Sequence, residues 1–353
     1  MTHAGKSQAR RGSRGGFVPA CLVVAALAAC AEHDPEHAAD FDVLARFGEV
    51  GRSPGQFVKP RAIDADARSL YVVDMTARVQ RLDPDSGRCT AWWQLPDFEF
   101  GRPVGLSVGP WVDGSTVLYV PETHYFRVSV FRLPDAMGHP PDLLLRFGEY
   151  GEGPGQFIFP TDVAVLPTPD GTRVERLYVA EYGGHDRVSA FDPEGRFLFA
   201  FGAFGPEGVG DDPAGIYFNR PQSIAIDRAR RELIVCDAAN HRLGRFTLGG
   251  DLLAWIGSPD SAGDAPGRFK YPYGLALPGD GTALVCEYGN GRIQRIDLET
   301  GRSLGLFGRS GRGDAQAASP WGVALIGRRL FVLDSGHSRV LTIEAPARRG
   351  GGA

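Results

Sequence analysis

Sulfur is scarce in this chain. Its 353 residues include three Met and five Cys, and two of those cysteines, Cys21 and Cys30, fall within the first thirty positions. Of the remaining three, Cys236 and Cys286 sit at the same place in neighbouring repeats, so their side chains point the same way and do not face each other. Both read as small buried hydrophobes. Cys89 has no evident partner, which argues against a disulfide framework. No Cys-x-x-Cys or haem motif supports a redox role. The chain also lacks a G-x-S-x-G elbow, an H-E-x-x-H pair and a phosphate loop, so common hydrolase, zinc-protease and nucleotide chemistries have no foothold. No segment beyond the N-terminus keeps a helical period. A basic excess is missing too: 38 Lys and Arg against 42 Asp and Glu give −4. An acidic protein lacks the cationic face expected of a nucleic-acid binder.

Glycine (48) and proline (26) are abundant, as in a turn-dense β protein. They recur in order. Residues 147–192 run from a glycine-rich loop through Pro160 and a short alternating strand, then a second strand ending in Glu181. A tight turn with His185 then leads to Arg187 and a third strand. The same order appears six times, which marks a repeat protein. The opening prolines are Pro60, Pro103, Pro160, Pro221, Pro272 and Pro320. The closing acids are Asp74, Glu122, Glu181, Asp237, Glu287 and Asp334, and each is followed by an arginine: Arg78, Arg127, Arg187, Arg242, Arg292 and Arg339.

A fourth strand follows five of the units, and the sixth runs out into Ala345-Pro346 and a glycine-rich tail. One orphan strand, DVLARF at residues 42–47, precedes the first unit. The economical solution is all-β: a six-bladed β-propeller of four-stranded blades, closed by the N-terminal strand completing the C-terminal blade. Closure also covers edges that would otherwise invite pairing with other chains. The expected organisation is residues 1–29 as a signal peptide, 30–40 as an anchored tether, 41–346 as the ring and 347–353 as a tail.

The FG-x-x-G-x-x-PG-x-F loop (residues 47–57 and 147–157), the Pro-x-Gly strand, the LYV-x-acid strand and the turn Asn240-His241-Arg242-Leu243 resemble NHL repeats. The resemblance covers about residues 41–345 and implies a six-bladed propeller. It implies no single function, since such rings host binders and enzymes alike.

The first 29 residues combine Lys6, Arg10, Arg11 and Arg14 with an apolar run from Phe17 to Ala29, the pattern of an export signal too short to span a membrane. Leu27-Ala28-Ala29-Cys30 resembles a bacterial lipobox, which implies lipid attachment at Cys30. Ala31 after it favours, by the same resemblance, the periplasmic face of the outer membrane in a two-membrane host. Without those four basic residues the balance is 34 − 42 = −8.

The acid–arginine pairs recur in every unit, so they read as structural stitches through charge-assisted hydrogen bonds and not as six catalytic centres. His124, His185, His241 and His337 follow the blades and are too widely spread to share one metal. His33 and His37 belong to the polar tether, and Asp211, Asp212, Asp260 and Asp264 to long loops. The position after each proline faces the channel mouth and varies: Arg61, Val104, Thr161, Gln222, Tyr273 and Trp321. In amidating lyases that resemble this ring, that place supplies zinc-binding histidines; here it supplies none. Lactonase-like propellers use inner acids and asparagines, and only Asp162 and Asn219 come near that pattern. Neither a metal nor another cofactor is expected. Arg61, Thr161, Gln222, Tyr273 and Trp321 suit binding. The reading is an exported, lipid-anchored binding or scaffolding module for a protein, peptide or glycan at the cell envelope. The alternative is a metal-assisted propeller enzyme, amidating-lyase-like or lactonase-like.

Overall fold

The computed structural model describes residues 39–99, 102–133, 141–205, 215–258, 260 and 262–346. The leader, Cys30, His33, His37, Asp211, Asp212 and the tail from 347 onward lie outside the described residues. Six four-stranded antiparallel sheets form the blades. Their innermost strands are Pro60–Ala65, Ser107–Pro110, Phe159–Pro167, Pro221–Asp227, Pro272–Ala276 and Pro320–Ile326. The chain closes as a ring. Val43–Phe47 is the outermost strand of the sixth blade and pairs with Arg339–Glu344, with Phe47 opposite Val340 and Ala45 opposite Thr342.

Second and third strands alternate branched and aromatic residues and bury both faces, one against each neighbouring blade. Leu70–Asp74 and Thr282–Glu287 are buried along their whole length. Between the third and fourth blades, Tyr178, Phe201, Phe218 and Phe246 form one cluster. Near the axis the strands converge and side chains must shrink. Gly274 and Gly322 face each other there, and a Cβ on Gly274 would lie 2.7 Å from the Gly322 Cα.

The six acid–arginine pairs all form, at 3.1 Å for Asp74–Arg78, 2.6 Å for Glu181–Arg187, 2.8 Å for Asp237–Arg242, 2.7 Å for Glu287–Arg292 and 3.0 Å for Asp334–Arg339, with Glu122–Arg127 the remaining pair. They join more than their own hairpins. Glu181 accepts the Ile158 N–H at 2.6 Å, and Arg187 donates to the Gln156 carbonyl at 2.8 Å. Asp237 likewise accepts from Asn219 N–H, and Arg242 donates to the Tyr217 carbonyl. In these blades the pair fastens the long loop that enters the blade. Those loops frame the mouth of the central channel.

Candidate binding site at the channel mouth

A bulge aims the first side chains into the mouth. The register between first and second strands shifts between Pro60 and Ala62, Pro160 and Asp162, Pro221 and Ser223, Pro272 and Gly274, and Pro320 and Gly322. The residue after each of these prolines is therefore the extra one, freed from the ladder and turned. Arg61, Val104, Gln222, Tyr273 and Trp321 line a channel cavity of about 280 Å³. Thr161 is fully buried, with its hydroxyl donating to the Ala180 carbonyl at 3.1 Å or the Pro221 carbonyl at 2.8 Å. It ties the third blade to the fourth.

The mouth is aromatic and cationic. Tyr273 stacks on Tyr288 with centroids 4.7 Å apart and meets Trp321 edge-on at 5.0 Å. Tyr271 reaches Tyr273 at 6.4 Å and stands against His241 at 4.7 Å. The Arg61 guanidinium lies 4.0 Å from the centre of the Trp321 ring, and its Nη2 meets the Met75 sulfur at 3.3 Å. Arg220 lies over both Tyr182, at 5.1 Å, and Tyr273, at 5.7 Å. The backbones of Lys59, Arg220 and Tyr271 take φ of +47°, +59° and +50°, each just before a proline. Non-glycine residues held there store strain, which is found most often where the surroundings serve a ligand. The indole N–H of Trp321 is buried without a partner.

Below the mouth the channel wall turns acidic. Asp162 accepts hydrogen bonds from the Ser223 hydroxyl at 2.8 Å and from the N–H groups of Ile224 and Val163. Asp64 accepts from the Val108 and Ala65 N–H groups. Each carboxylate thus staples its blade to the next one. Burial pushes Asp162 up to about 7, against its hydrogen bonds, and Asp64 up to about 6. Some fraction of each is therefore protonated near neutral pH.

Of the four turn histidines, His185 and His337 stay with their own blades, while His124 and His241 each reach the entry of the next one. His337 Nδ1 is 2.6 Å from Asp334, His241 Nδ1 accepts the Tyr271 N–H at 3.2 Å, and His124 packs on Phe159 at 5.7 Å. His185 lies 3.9 Å from Glu181, and burial lowers its pKa, as it does that of His241. Among the described residues, no three His, Cys, Asp or Glu side chains are placed to share an ion. Asn219 serves its blade through its backbone.

The mouth has members that the proline-based reading passes over: Arg220 and Tyr271, immediately before their prolines, and Met75, Tyr182 and Tyr288, immediately after their closing acids. A signal was present. Both positions vary from repeat to repeat, as the position after the proline does: Lys59, Arg102, Phe159, Arg220, Tyr271 and Ser319 before the prolines, and Met75, Thr123, Tyr182, Ala238, Tyr288 and Ser335 after the acids.

Three comparisons bear on kinship. A family model for the NHL repeat matches residues 218–246, most of the first three strands of the fourth blade. The Drosophila melanogaster protein brain tumor is 30% identical over 166 residues, 47% of this chain and 14% of that protein. Mouse NHL repeat-containing protein 3 is 26% identical over 145 residues, 39% of this chain and 40% of that one. Mouse peptidyl-glycine alpha-amidating monooxygenase is 30% identical over 148 residues, 42% of this chain and 14% of the enzyme. The chain thus matches less than half the length of each of these relatives. Among solved structures, a Bacteroides thetaiotaomicron protein of unknown function superposes with TM-score 0.58 at 14% identity, covering 84% of this chain and 75% of that one. A streptogramin B lyase superposes with TM-score 0.51 at 11% identity, over 84% and 96%. At such identities the likeness is one of fold.

Proposed function

Because this chain is a six-bladed β-propeller of the NHL-repeat type, we propose that it is a binding module whose channel mouth engages a protein or peptide partner. The observation that carries the reading is the cluster of Arg61, Tyr273, Tyr288 and Trp321, aromatic planes and a cation gathered at one opening. Trp, Tyr and Arg are enriched among the few residues that supply most of the free energy at protein interfaces, the aromatics because they bury large rigid surfaces with few rotatable bonds and arginine because its planar fork makes several hydrogen bonds at once. The ring around them is built of four-stranded sheets fastened by buried acid–arginine pairs, as a presenting scaffold requires. The export signal and Cys30 add location: the module is lipid-anchored at the cell envelope, where one acyl-bearing cysteine with more than one chain holds a protein stably.

The test is a pair of substitutions. Trp321→Ala and Tyr273→Ala are expected to abolish cross-linking of the envelope partner while the melting transition stays cooperative. Partners captured unchanged by a folded double variant would refute the siting. Metabolic labelling with a fatty-acid analogue, lost in Cys30→Ala, tests the anchor. A metal-assisted propeller enzyme is the second reading, favoured by the partial likeness to the amidating monooxygenase. One tightly held zinc or calcium per purified chain would place it first.

A further inference from the structure

Arg61 and Arg220 stand at the mouth with no carboxylate on either guanidinium among the described residues. Arg61 contacts the Met75 sulfur, and Arg220 donates from Nε to the Gln222 side-chain oxygen at 3.3 Å. Burial is the main reason that Arg61 holds its proton less firmly than usual, and the charge of Arg220 adds repulsion. Asp186 is the acid beside Arg220. Its oxygens are occupied by the N–H groups of Gly183, Gly184 and Arg220 itself. Two partly desolvated cations that repel one another are unfavourable in the free protein, and an incoming anion relieves both terms. Both guanidinium groups lie beside aromatic rings. Arg61 lies on Trp321 and Arg220 near Tyr182 and Tyr273, and the N–H groups not given to Met75 and Gln222 remain for contact with an oxyanion.

Met75 leads from this pair to a second cationic surface. It also lines a groove of about 360 Å³ with Arg52, Arg78, Arg102, Trp92 and Phe98, and among the described residues no carboxylate lines that groove. The first blade has a shorter turn here: its acid and arginine are four residues apart, against five or six elsewhere. Arg78 meets Asp74 through Nη2, so its Nε, the atom that the other five arginines give to their acids, is left without a partner. Arg52 and Arg102 are exposed at the sides.

We propose that the mouth takes an acidic segment of the partner protein, with one carboxylate side chain seated between Arg61 and Arg220 and the segment continuing over Met75 into the arginine-lined groove. This deepens the binding reading above and rests on it. A single small anion would satisfy one cation cluster; a peptide with spaced carboxylates meets both, and Trp92 and Phe98 offer apolar contact to the residues between them. The net negative charge of the chain disfavours such a segment away from the two arginine clusters.

The experiment uses the full chain and a fluorescein-labelled peptide of alternating Glu and Ser, read by anisotropy at low and high salt. The expected result is binding that weakens with salt, is absent for the same peptide with Gln replacing Glu, and falls about tenfold or more in Arg61→Gln and in Arg220→Gln. Arg61→Lys should retain part of the affinity, and Arg328→Gln, on the exposed Arg328–Glu344 pair, all of it. Circular dichroism establishes that each variant is folded. Equal binding of the Gln peptide, no binding of the Glu peptide, or arginine variants that bind like the parent would each overturn the proposal. So would inorganic phosphate displacing the peptide with the same arginine dependence, which would make this a phosphate site. If the native partner is lost in Trp321→Ala but kept in both arginine variants, the mouth stands as the binding site and the acidic occupant falls.

Discussion

Phe41 is the residue on which ring closure can be measured. It precedes the closing strand Val43–Phe47, is only 4% exposed and donates its N–H to the Ala315 carbonyl at 2.8 Å. It belongs to one core cluster with Ile293, Val323, Leu341 and Ile343, so it joins the N-terminal segment to the fifth and sixth blades. It also lies on Gly308, where φ is +77° and a Cβ would come within 2.0 Å of the Phe41 ring. Phe41→Ala removes a buried aromatic ring that its surroundings can only partly fill, at a cost of ~3–5 kcal/mol. With ~2 °C lost per kcal/mol in a domain of this size, the melting temperature should fall by roughly 6–10 °C. Leu44→Ala, on the same strand but 59% exposed, should change stability by no more than about 0.5 kcal/mol. Near-UV circular dichroism during heating reads both variants, and Gly308→Ala should resemble Phe41→Ala because added volume strains the same contact. If Phe41→Ala melts with the parent, the N-terminal segment does not hold the ring shut and the closure argument is wrong.

Buried charge and pH supply two further tests, beside those on Trp321, Tyr273 and the mouth arginines. Asp237→Ala leaves Arg242 buried against Trp255, 3.5 Å from its ring centre, without its carboxylate; urea unfolding should show a loss of ~3–5 kcal/mol. A parent-like midpoint would mean that the pair is not structural. Asp162 and Asp64, raised to about 7 and about 6, bind protons more firmly folded than unfolded. Their contribution is therefore fully present below the unfolded carboxylate range, near 4, and is lost as pH rises through the folded values. Glu181 and Asp237 are raised too and add the same sign, so the diagnostic is a difference. Between about pH 4 and 7 the melting temperature of Asp162→Ala should decline less steeply than that of the parent; parallel slopes would show that Asp162 titrates normally.

Most of the architecture was legible in the chain because a propeller is written six times. Pro60, Pro160, Pro221, Pro272 and Pro320 mark where inner strands begin, whereas Pro103 falls four residues ahead of Ser107–Pro110; the acids from Asp74 to Asp334 mark where second strands end, and the orphan strand before Pro60 has a place only if the ring closes. Periodicity is a local property, and repetition averages out its exceptions. The site was legible in part. The position after each proline announced itself by varying, and Arg61, Gln222, Tyr273 and Trp321 do line the channel. Thr161 lies at the equivalent bulge and is buried, because its hydroxyl found the Ala180 and Pro221 carbonyls within reach, a matter of how two blades meet.

By itself, then, the sequence determined the number of blades, the strands of each blade, the segment that closes the ring and one column of residues facing the channel. Only the tertiary structure decided which other columns join that one. Arg220 and Tyr271 arrive from the entering loops on left-handed backbone, and Met75, Tyr182 and Tyr288 arrive from turns after the closing acids. Asp64 and Asp162, from the first and third blades, share one channel wall. These residues are distant in the chain and near in space because the ring bends six separate strands toward one axis. Interactions across that axis depend on distances that a repeat pattern does not encode, since each repeat specifies its own hairpins and leaves what it meets at the centre to the closure of the whole.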